Sequence, residues 1–313
     1  MAGHVPVLLE AIAAILQPRP GGRYLDATVG VGGHAETILR ASEPTGTLVG
    51  IDRDAEALAL ARQRLDVFGE RVMLLHGRYE YLTELVGAGR AFDGILFDLG
   101  ASSLQLDTAA RGFSFGREGP LDMRMDRSGG STAADIAARL SEQELADLIF
   151  RFGEERWSRR IARAIVEARQ KEPIRSTTAL ANVVNRAIPR RYWPRHIHPA
   201  TRTFQALRIV VNDELGRLDR ALAQAVDLLH PAGRVVVMSF HSLEDRIVKQ
   251  EWRDMAAAGI VRILTKRPMR PGEAETTANP RARSAKLRAV ERLPVRRVPT
   301  APPWVPDSFG EAS

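Results

Sequence analysis

Three carboxylates and three glycines define the chemistry open to this chain. Residues 24–34 read Tyr-Leu-Asp-Ala-Thr-Val-Gly-Val-Gly-Gly-His, so Asp26 stands four residues before Gly30, and Gly32 and Gly33 follow at once. Glycines in a strand-to-helix turn let the backbone approach a nucleotide-like ligand, and the exposed N–H groups of the helix start supply donors. Asp52 follows a second apolar run, Leu48-Val49-Gly50-Ile51. It lies about twenty residues past the first glycine, where a carboxylate can accept both hydroxyls of a ribose. Asp98 closes a further run, Gly94-Ile95-Leu96-Phe97. A dinucleotide site calls for Gly-x-Gly-x-x-Gly, whereas the Asp-x-x-x-Gly-x-Gly found here suits S-adenosylmethionine better. Its cationic amino-acid end can face the carboxylate, and it has no pyrophosphate to cradle.

The chain has no cysteine. Disulfides, thiolate zinc sites and cysteine nucleophiles are thereby excluded. Methyl transfer to C5 of a pyrimidine usually needs a cysteine adduct at C6, so transfer to nitrogen or oxygen remains. Such a step relies on in-line alignment and exclusion of water, and we expect no metal.

These residues need a frame to hold them. Short strands are expected at residues 23–27, 48–52, 72–75 and 94–98, alternating with helices; His76 follows the third of them. That alternation describes a parallel sheet with helices on both faces, whose ligands sit at the C-terminal strand edge. A helix is expected over residues 7–17, with His4 and Val5 before it as candidate pocket residues, and Asp54 is expected to cap a helix. Residues 112–126 carry no helical or strand period and look like a functional loop. An all-helical block follows, with a Ser141/Glu144 capping box, a helix over residues 154–171 and a third stripe before Pro189. The stripe Phe204, Leu207, Val211, Leu215, Leu218, Leu222, Val226 and Leu229 predicts one helix of seven turns. A buried strand is expected at residues 235–240, with Ser242 and Asp245 capping the next helix. Two last strands are expected near residues 261–265 and 287–291, separated by a loop over residues 266–284.

The net charge is +7. Residues 258–300 hold eleven Lys and Arg against three Glu, and residues 186–208 hold six arginines and no acid. Tyr192, Trp193, His196 and His198 are interleaved with the second island and offer stacking or hydrogen bonds to bases. A polyanion such as RNA is the expected partner, although a solvated basic face explains the same counts. No leader-like segment and no apolar run long enough for a span is evident, so we expect a cytoplasmic protein with no membrane partner.

Several long motifs, in order, resemble the bacterial small-subunit ribosomal RNA methyltransferase H family, also called MraW. They are His4-Val5-Pro6-Val7-Leu8-Leu9, Gly32-Gly33-His34, Ile51-Asp52-Arg53-Asp54, Phe97-Asp98-Leu99-Gly100-Ala101-Ser102-Ser103-Leu104-Gln105-Leu106-Asp107 and the 112–126 loop. Two more are His198-Pro199-Ala200-Thr201-Arg202-Thr203-Phe204-Gln205-Ala206-Leu207-Arg208 and Ser239-Phe240-His241-Ser242-Leu243-Glu244-Asp245-Arg246, and the likeness extends to Lys286. The resemblance implies a Rossmann-like class I methyltransferase sheet with an inserted all-helical domain. It implies transfer of methyl from S-adenosylmethionine to N4 of a cytidine of 16S ribosomal RNA near the decoding site. Cofactor contacts carried over are Gly32, Gly33, His34, Asp52, Tyr79, Asp98 and Gln105, with Tyr79 standing where many members have Phe. We expect residues 1–105 and 200–293 to form the methyltransferase domain, 106–199 the RNA-holding helical insertion, and 294–313 a tail.

Physical roles can be argued beside the resemblance. Tyr79 would pack on adenine or serve as a core aromatic. Asp98 is the candidate catalytic group, since an acceptor that bonds the N4–H can turn the amine's delocalised lone pair toward the methyl group; it could instead hold the cofactor's amino group. Asp122, Arg124, Arg202, Gln205 and His241 are candidates for the cytidine and its flanking phosphates. Arg202 and Arg208 could equally be solvated residues at a helix start. Lys286 and Arg288 could clamp RNA or protect an edge strand. The target base has to be flipped or single-stranded, which points to small-subunit RNA within an assembled 30S subunit. A catalytically silent RNA-binding assembly factor and a Rossmann-type NAD-dependent enzyme are the competing classes. The oligomeric state, including a homodimer, is open.

Overall fold

The computed structural model describes residues 6–87, 89, 91–194 and 197–294. His4, Val5, His196 and the tail expected from residue 294 lie wholly or almost wholly outside them.

Four short apolar runs form β1 (Arg23–Asp26), β2 (Thr47–Asp52), β3 (Val72–His76) and β4 (Phe92–Asp98). The chain opens with α1 (Leu9–Leu16). Between the strands run α2 (Gly33–Ala41), α3 (Ala55–Leu65) and α4 (Leu82–Val86). After β4 come α5 (Ser103–Asp107) and the helical block of α6 (Ala133–Arg139), α7 (Glu142–Gly153), α8 (Ser158–Lys171) and α9 (Thr177–Ala187). The chain returns to the sheet through α10 (Thr201–Asn212) and α11 (Leu218–Asp227). It ends with β5 (Leu229–Ser239), α12 (Ser242–Ala257), β6 (Val261–Ile263), α13 (Glu273–Ala278) and β7 (Lys286–Arg292).

The strands form one seven-stranded sheet in the order β3-β2-β1-β4-β5-β7-β6. The first five are parallel, and β7 runs antiparallel to both β5 and β6. Because successive strand residues point to opposite faces, Ile95, Phe97, Val235 and Val237 join a core with Leu82, Leu222 and Trp252 on one side. Leu96, Val236 and Met238 join Ile12, Ile38 and Leu58 on the other. With both faces covered, the middles of the central strands are apolar runs, Ile95 to Phe97 and Val235 to Met238. A third core, drawn from residues between Leu121 and Leu207, binds the helical block together and takes in Phe204, Ala206 and Leu207 of α10. No helix among the described residues is long and apolar enough to cross a membrane.

Several local expectations need correction. The stripe over residues 204–229 is two helices, because Asp213 leaves α10 with φ 49° and the chain turns before Leu218. An unbroken apolar period does not register a local turn to left-handed backbone. The next helix is capped by His241, whose Nδ1 accepts the Glu244 N–H while the Glu244 carboxylate accepts the His241 N–H; Ser242 is already inside it. The helix expected from residue 154 begins at Ser158, since Glu154 adopts φ 50° at the end of α7. β5 starts at Leu229 and passes through Pro231, and the 266–284 loop contains α13. Asp54 and the Ser141/Glu144 box cap as expected.

Candidate active site

The C-terminal ends of β1, β2 and β4 open onto a cavity of about 590 Å³, within the range of about 300–1,000 Å³ typical of small-molecule sites. Gly33, His34, Asp52, Tyr79, Asp98, Gln105, Gln205 and His241 all line it. Part of the opposite wall comes from the 112–126 loop and α10, through Phe113, Phe115 and Phe204.

The glycine turn is shaped by backbone demands. Gly32 has φ 84° and caps α2, a conformation an L side chain rarely adopts. A Cβ on Gly33 would lie 2.7 Å from the Pro6 ring. Asp52 fastens this turn to its own strand end: Oδ2 accepts the Gly30 N–H at 2.8 Å and Oδ1 accepts the Asp54 N–H at 2.8 Å. Burial raises its pKa to about 6 against the pull of those two hydrogen bonds.

Asp26, His34 and Asp98 form a charged cluster behind the turn. Burial lifts Asp26 to about 7, although the charge of His34 and the Thr28 N–H oppose the rise. For His34, burial disfavours the cation, but the adjacent Asp98 and Asp26 carboxylates outweigh it and raise the pKa. His34 Nε2 lies 3.6 Å from Asp98 Oδ2, an ion-pair separation too long for a hydrogen bond. Both His34 ring nitrogens and Asp98 Oδ1 are buried without hydrogen-bond partners. Buried polar atoms without partners are uncommon in a folded protein, and both residues line the cavity.

Gln105 is held from both ends of its amide. Oε1 accepts the Ser102 N–H, while Nε2 donates to Asp54 Oδ2 at 2.8 Å. Asp54 also receives Arg111 at 2.8 Å, and Arg111 reaches Glu56 at 3.1 Å and the carbonyls of Arg124 and Met125. Arg111 is fully buried. It anchors the 112–126 loop to the N-terminus of α3, and sequence reasoning missed it because its carboxylate partners lie more than fifty residues away. Tyr79 donates its hydroxyl to the Glu214 carbonyl at 2.7 Å and sets its ring edge-to-face with Phe97.

A second buried group lies at the far wall. Arg208 makes a bidentate pair with Glu214, at 3.0 and 2.9 Å, and so is not a solvated helix-start residue. Glu214, His241 and Glu244 bring ligand atoms within 4.8 Å of one another; the Arg208 guanidinium already supplies the cation these carboxylates call for. Burial pushes Glu244 up, but the adjacent His241 ring and the Arg208 guanidinium outweigh it and hold Glu244 below its usual range.

The remaining candidates are engaged away from the cavity. Gly32 does not line it. Asp122 and Arg124 clamp each other at 2.7 and 3.0 Å. Arg202 donates to the Glu154 carbonyl and pairs with Glu155 at 3.7 Å. Lys286 and Arg288 both pair with Asp245, at 3.0 and 2.7 Å, and β7 lies inside the sheet, so edge protection does not apply. The aromatics of the second basic island are also occupied. Arg156 and Arg191 lie over Tyr192, Trp193 donates to the Ile188 carbonyl, and His198 stacks on Phe115 with centroids 4.4 Å apart.

A family model described as the MraW methylase family matches residues 1–293. The ribosomal RNA small subunit methyltransferase H of Pelobacter propionicus is 52% identical over 313 residues, covering 94% of this chain and 100% of that protein. The protein of the same name from Geobacter sulfurreducens is 52% identical over 309 residues, covering 93% and 99%. Among solved structures, a SAM-dependent O-methyltransferase from Thermotoga maritima matches with a TM-score of 0.43 at 11% identity, covering 95% of this chain and 69% of that one.

Proposed function

The chain belongs to the MraW methylase family, and on that footing we propose that it methylates the N4 amino group of one cytidine in small-subunit ribosomal RNA, near the decoding site. Membership brings S-adenosylmethionine as the methyl donor. That molecule supplies an electrophilic methyl group on a sulfonium.

The residues present fit such a ligand. Asp52 keeps lone pairs for ribose hydroxyls beside the two N–H bonds it already accepts, and Tyr79, which lines the cavity, is assigned to pack on adenine. His34 and Asp98 line the cavity, and we assign them to the ligand's polar amino-acid end and to the reacting amine. We assign Asp98 as the acceptor of the N4–H: it turns the lone pair toward the methyl group and takes the proton as the new C–N bond forms. The observation that carries this reading is the Asp98 carboxylate at the end of β4, which lines the cavity, stays about a third exposed and accepts no hydrogen bond among the described residues. Phe113, Phe115, Phe204 and Phe240 line the same cavity and exclude water from it.

RNA is supported by charge that nothing in the protein uses. Arg160, Lys171, Arg175 and Arg186 line a groove along α8 and α9, and among the described residues their side chains have neither ion pair nor hydrogen bond. We assign residues 106–199, with α10 packed on them, to holding the RNA of an assembled 30S subunit. The test is incubation with tritiated S-adenosylmethionine and either naked ribosomal RNA or small subunits, followed by digestion to nucleosides. Label in N4-methylcytidine is expected. Binding without label identifies a silent assembly factor instead.

A further inference from the structure

We propose that Arg208 reads the acceptor edge of the target cytosine, N3 and O2, while Asp98 takes its amino group. The assignment rests on the cytosine-N4 reading above and names the residue that makes it specific.

Arg208 and Phe240 flank the bend that follows Asp98. A Cβ placed on Gly100 would lie 3.8 Å from Arg208 Nη2 and 3.7 Å from Phe240 Cδ2. All three residues line the cavity. The guanidinium is fixed along one edge, since Nε and Nη2 hold the two oxygens of Glu214. Its Nη1 has no hydrogen-bond partner among the described residues and is not fully enclosed by protein, and the residue lines the cavity. An arginine locked on one edge keeps its remaining donors in a set direction and loses little rotamer freedom when it binds.

The local charge selects the ligand. Glu214 and Glu244 oppose the one guanidinium, with His241 3.2 Å from Glu244 Oε1. A phosphate, or the carboxylate of the methyl donor, would meet two buried acids there. A neutral ring with an acceptor edge can take the guanidinium's free donors without bringing a negative charge to those acids. Cytosine offers that edge beside its amino group, so one base can face Arg208 and Asp98 together. Uracil reverses both contacts: its N3–H would oppose the arginine, and its O4 would oppose Asp98. Discrimination of this kind is strong because the wrong base leaves buried groups unpaired. Phe240, which lines the cavity beside Gly100, supplies an apolar neighbour for the same ring.

The test is a cycle between one protein atom group and one base atom. Small subunits are reconstituted with cytidine or 3-deazacytidine at the target, and kcat/KM is measured for the unvaried enzyme, Arg208→Lys and Arg208→Gln. The analogue lacks N3 and keeps an amino group that is no poorer a nucleophile. The unvaried enzyme is expected to lose roughly tenfold to a hundredfold on the analogue. The variants are expected to lose a similar factor on cytidine and less than about threefold more on the analogue. S-adenosylhomocysteine binding, by calorimetry, reports that each variant folds and is expected to be unchanged. Losses that multiply, weakened S-adenosylhomocysteine binding, or an unimpaired rate of the unvaried enzyme on 3-deazacytidine each overturn the assignment. If the unvaried enzyme forms no N4-methylcytidine from cytidine subunits, the functional reading itself falls.

Discussion

His34 Nε2 stands 3.6 Å from Asp98 Oδ2, and neither imidazole nitrogen has a hydrogen-bond partner. The two groups attract each other by charge while each keeps bonding capacity for a third body. In a packed interior that capacity is costly unless a ligand uses it.

Asp98→Asn separates the two roles open to the carboxylate. We expect kcat to fall about a hundredfold or more, as for loss of a general base, with S-adenosylhomocysteine affinity within about threefold of the parent. Isothermal titration alongside single-turnover methylation measures both. Lost affinity with an intact single-turnover rate would instead make Asp98 a cofactor ligand.

Stability should fall as pH rises across the acid-to-neutral range. Asp26 goes from 3.8 in the unfolded chain to about 7 when buried. Between those values the folded state holds a proton that the unfolded state has released, so unfolding becomes easier with each rise in pH and levels off above about 7. The raised pKa of His34 acts in the same direction, its contribution being complete below 6.5 and lost as pH rises through the folded value. Asp52, raised to about 6, adds slope of the same sign, so Asp26→Asn should make the pH dependence shallower without abolishing it, and should stabilise the protein at pH 8 by on the order of a few kcal/mol. Urea unfolding at several pH values checks this, and parallel curves for parent and variant would contradict it.

Arg111→Met should cost about 3–5 kcal/mol, because Asp54 is left buried without its cationic partner. The 112–126 loop loses the anchor that reaches the Arg124 and Met125 carbonyls. Faster proteolytic cleavage within that loop should accompany the lower unfolding midpoint. A variant as stable and as resistant as the parent would show that the anchor is dispensable.

Arg175→Glu combined with Arg186→Glu should weaken RNA binding and flatten its salt dependence. Each phosphate that is no longer neutralised reduces the slope of log K against log salt by about one. Cofactor binding should not change, since both arginines lie in the α8 and α9 groove and not among the residues of the cavity. Filter binding from low to moderate salt distinguishes a shallower slope from a uniform loss.

Much of the sheet is legible because β1, β2 and β4 each join a short apolar run to a polar end, a pattern set by burial on both faces and a ligand edge. Capping at Asp54 and Ser141 is legible for a similar reason: cap and partner sit within three residues of each other. What escapes the sequence depends on distant pairing. Nothing near Arg111 announces Asp54, and nothing near Arg208 announces a cavity wall. Lys286 reads as a free cation until the fold sets Asp245 against it. His241 displaces Ser242 as cap because imidazole Nδ1 can accept an N–H as a serine oxygen does, a substitution that residue preferences underrate.

The interruption after Asn212 has a consequence for how the pocket is made. On a continuous helix, residues six apart point about 240° around the axis from each other, so Arg208 and Glu214 could never grip one another. The left-handed residue Asp213 brings the chain back, and the carboxylate then meets the guanidinium along its full edge. Straightness would have ended the wall: the apolar stripe supplies two girders, and the break between them is the hinge pin on which the binding surface hangs.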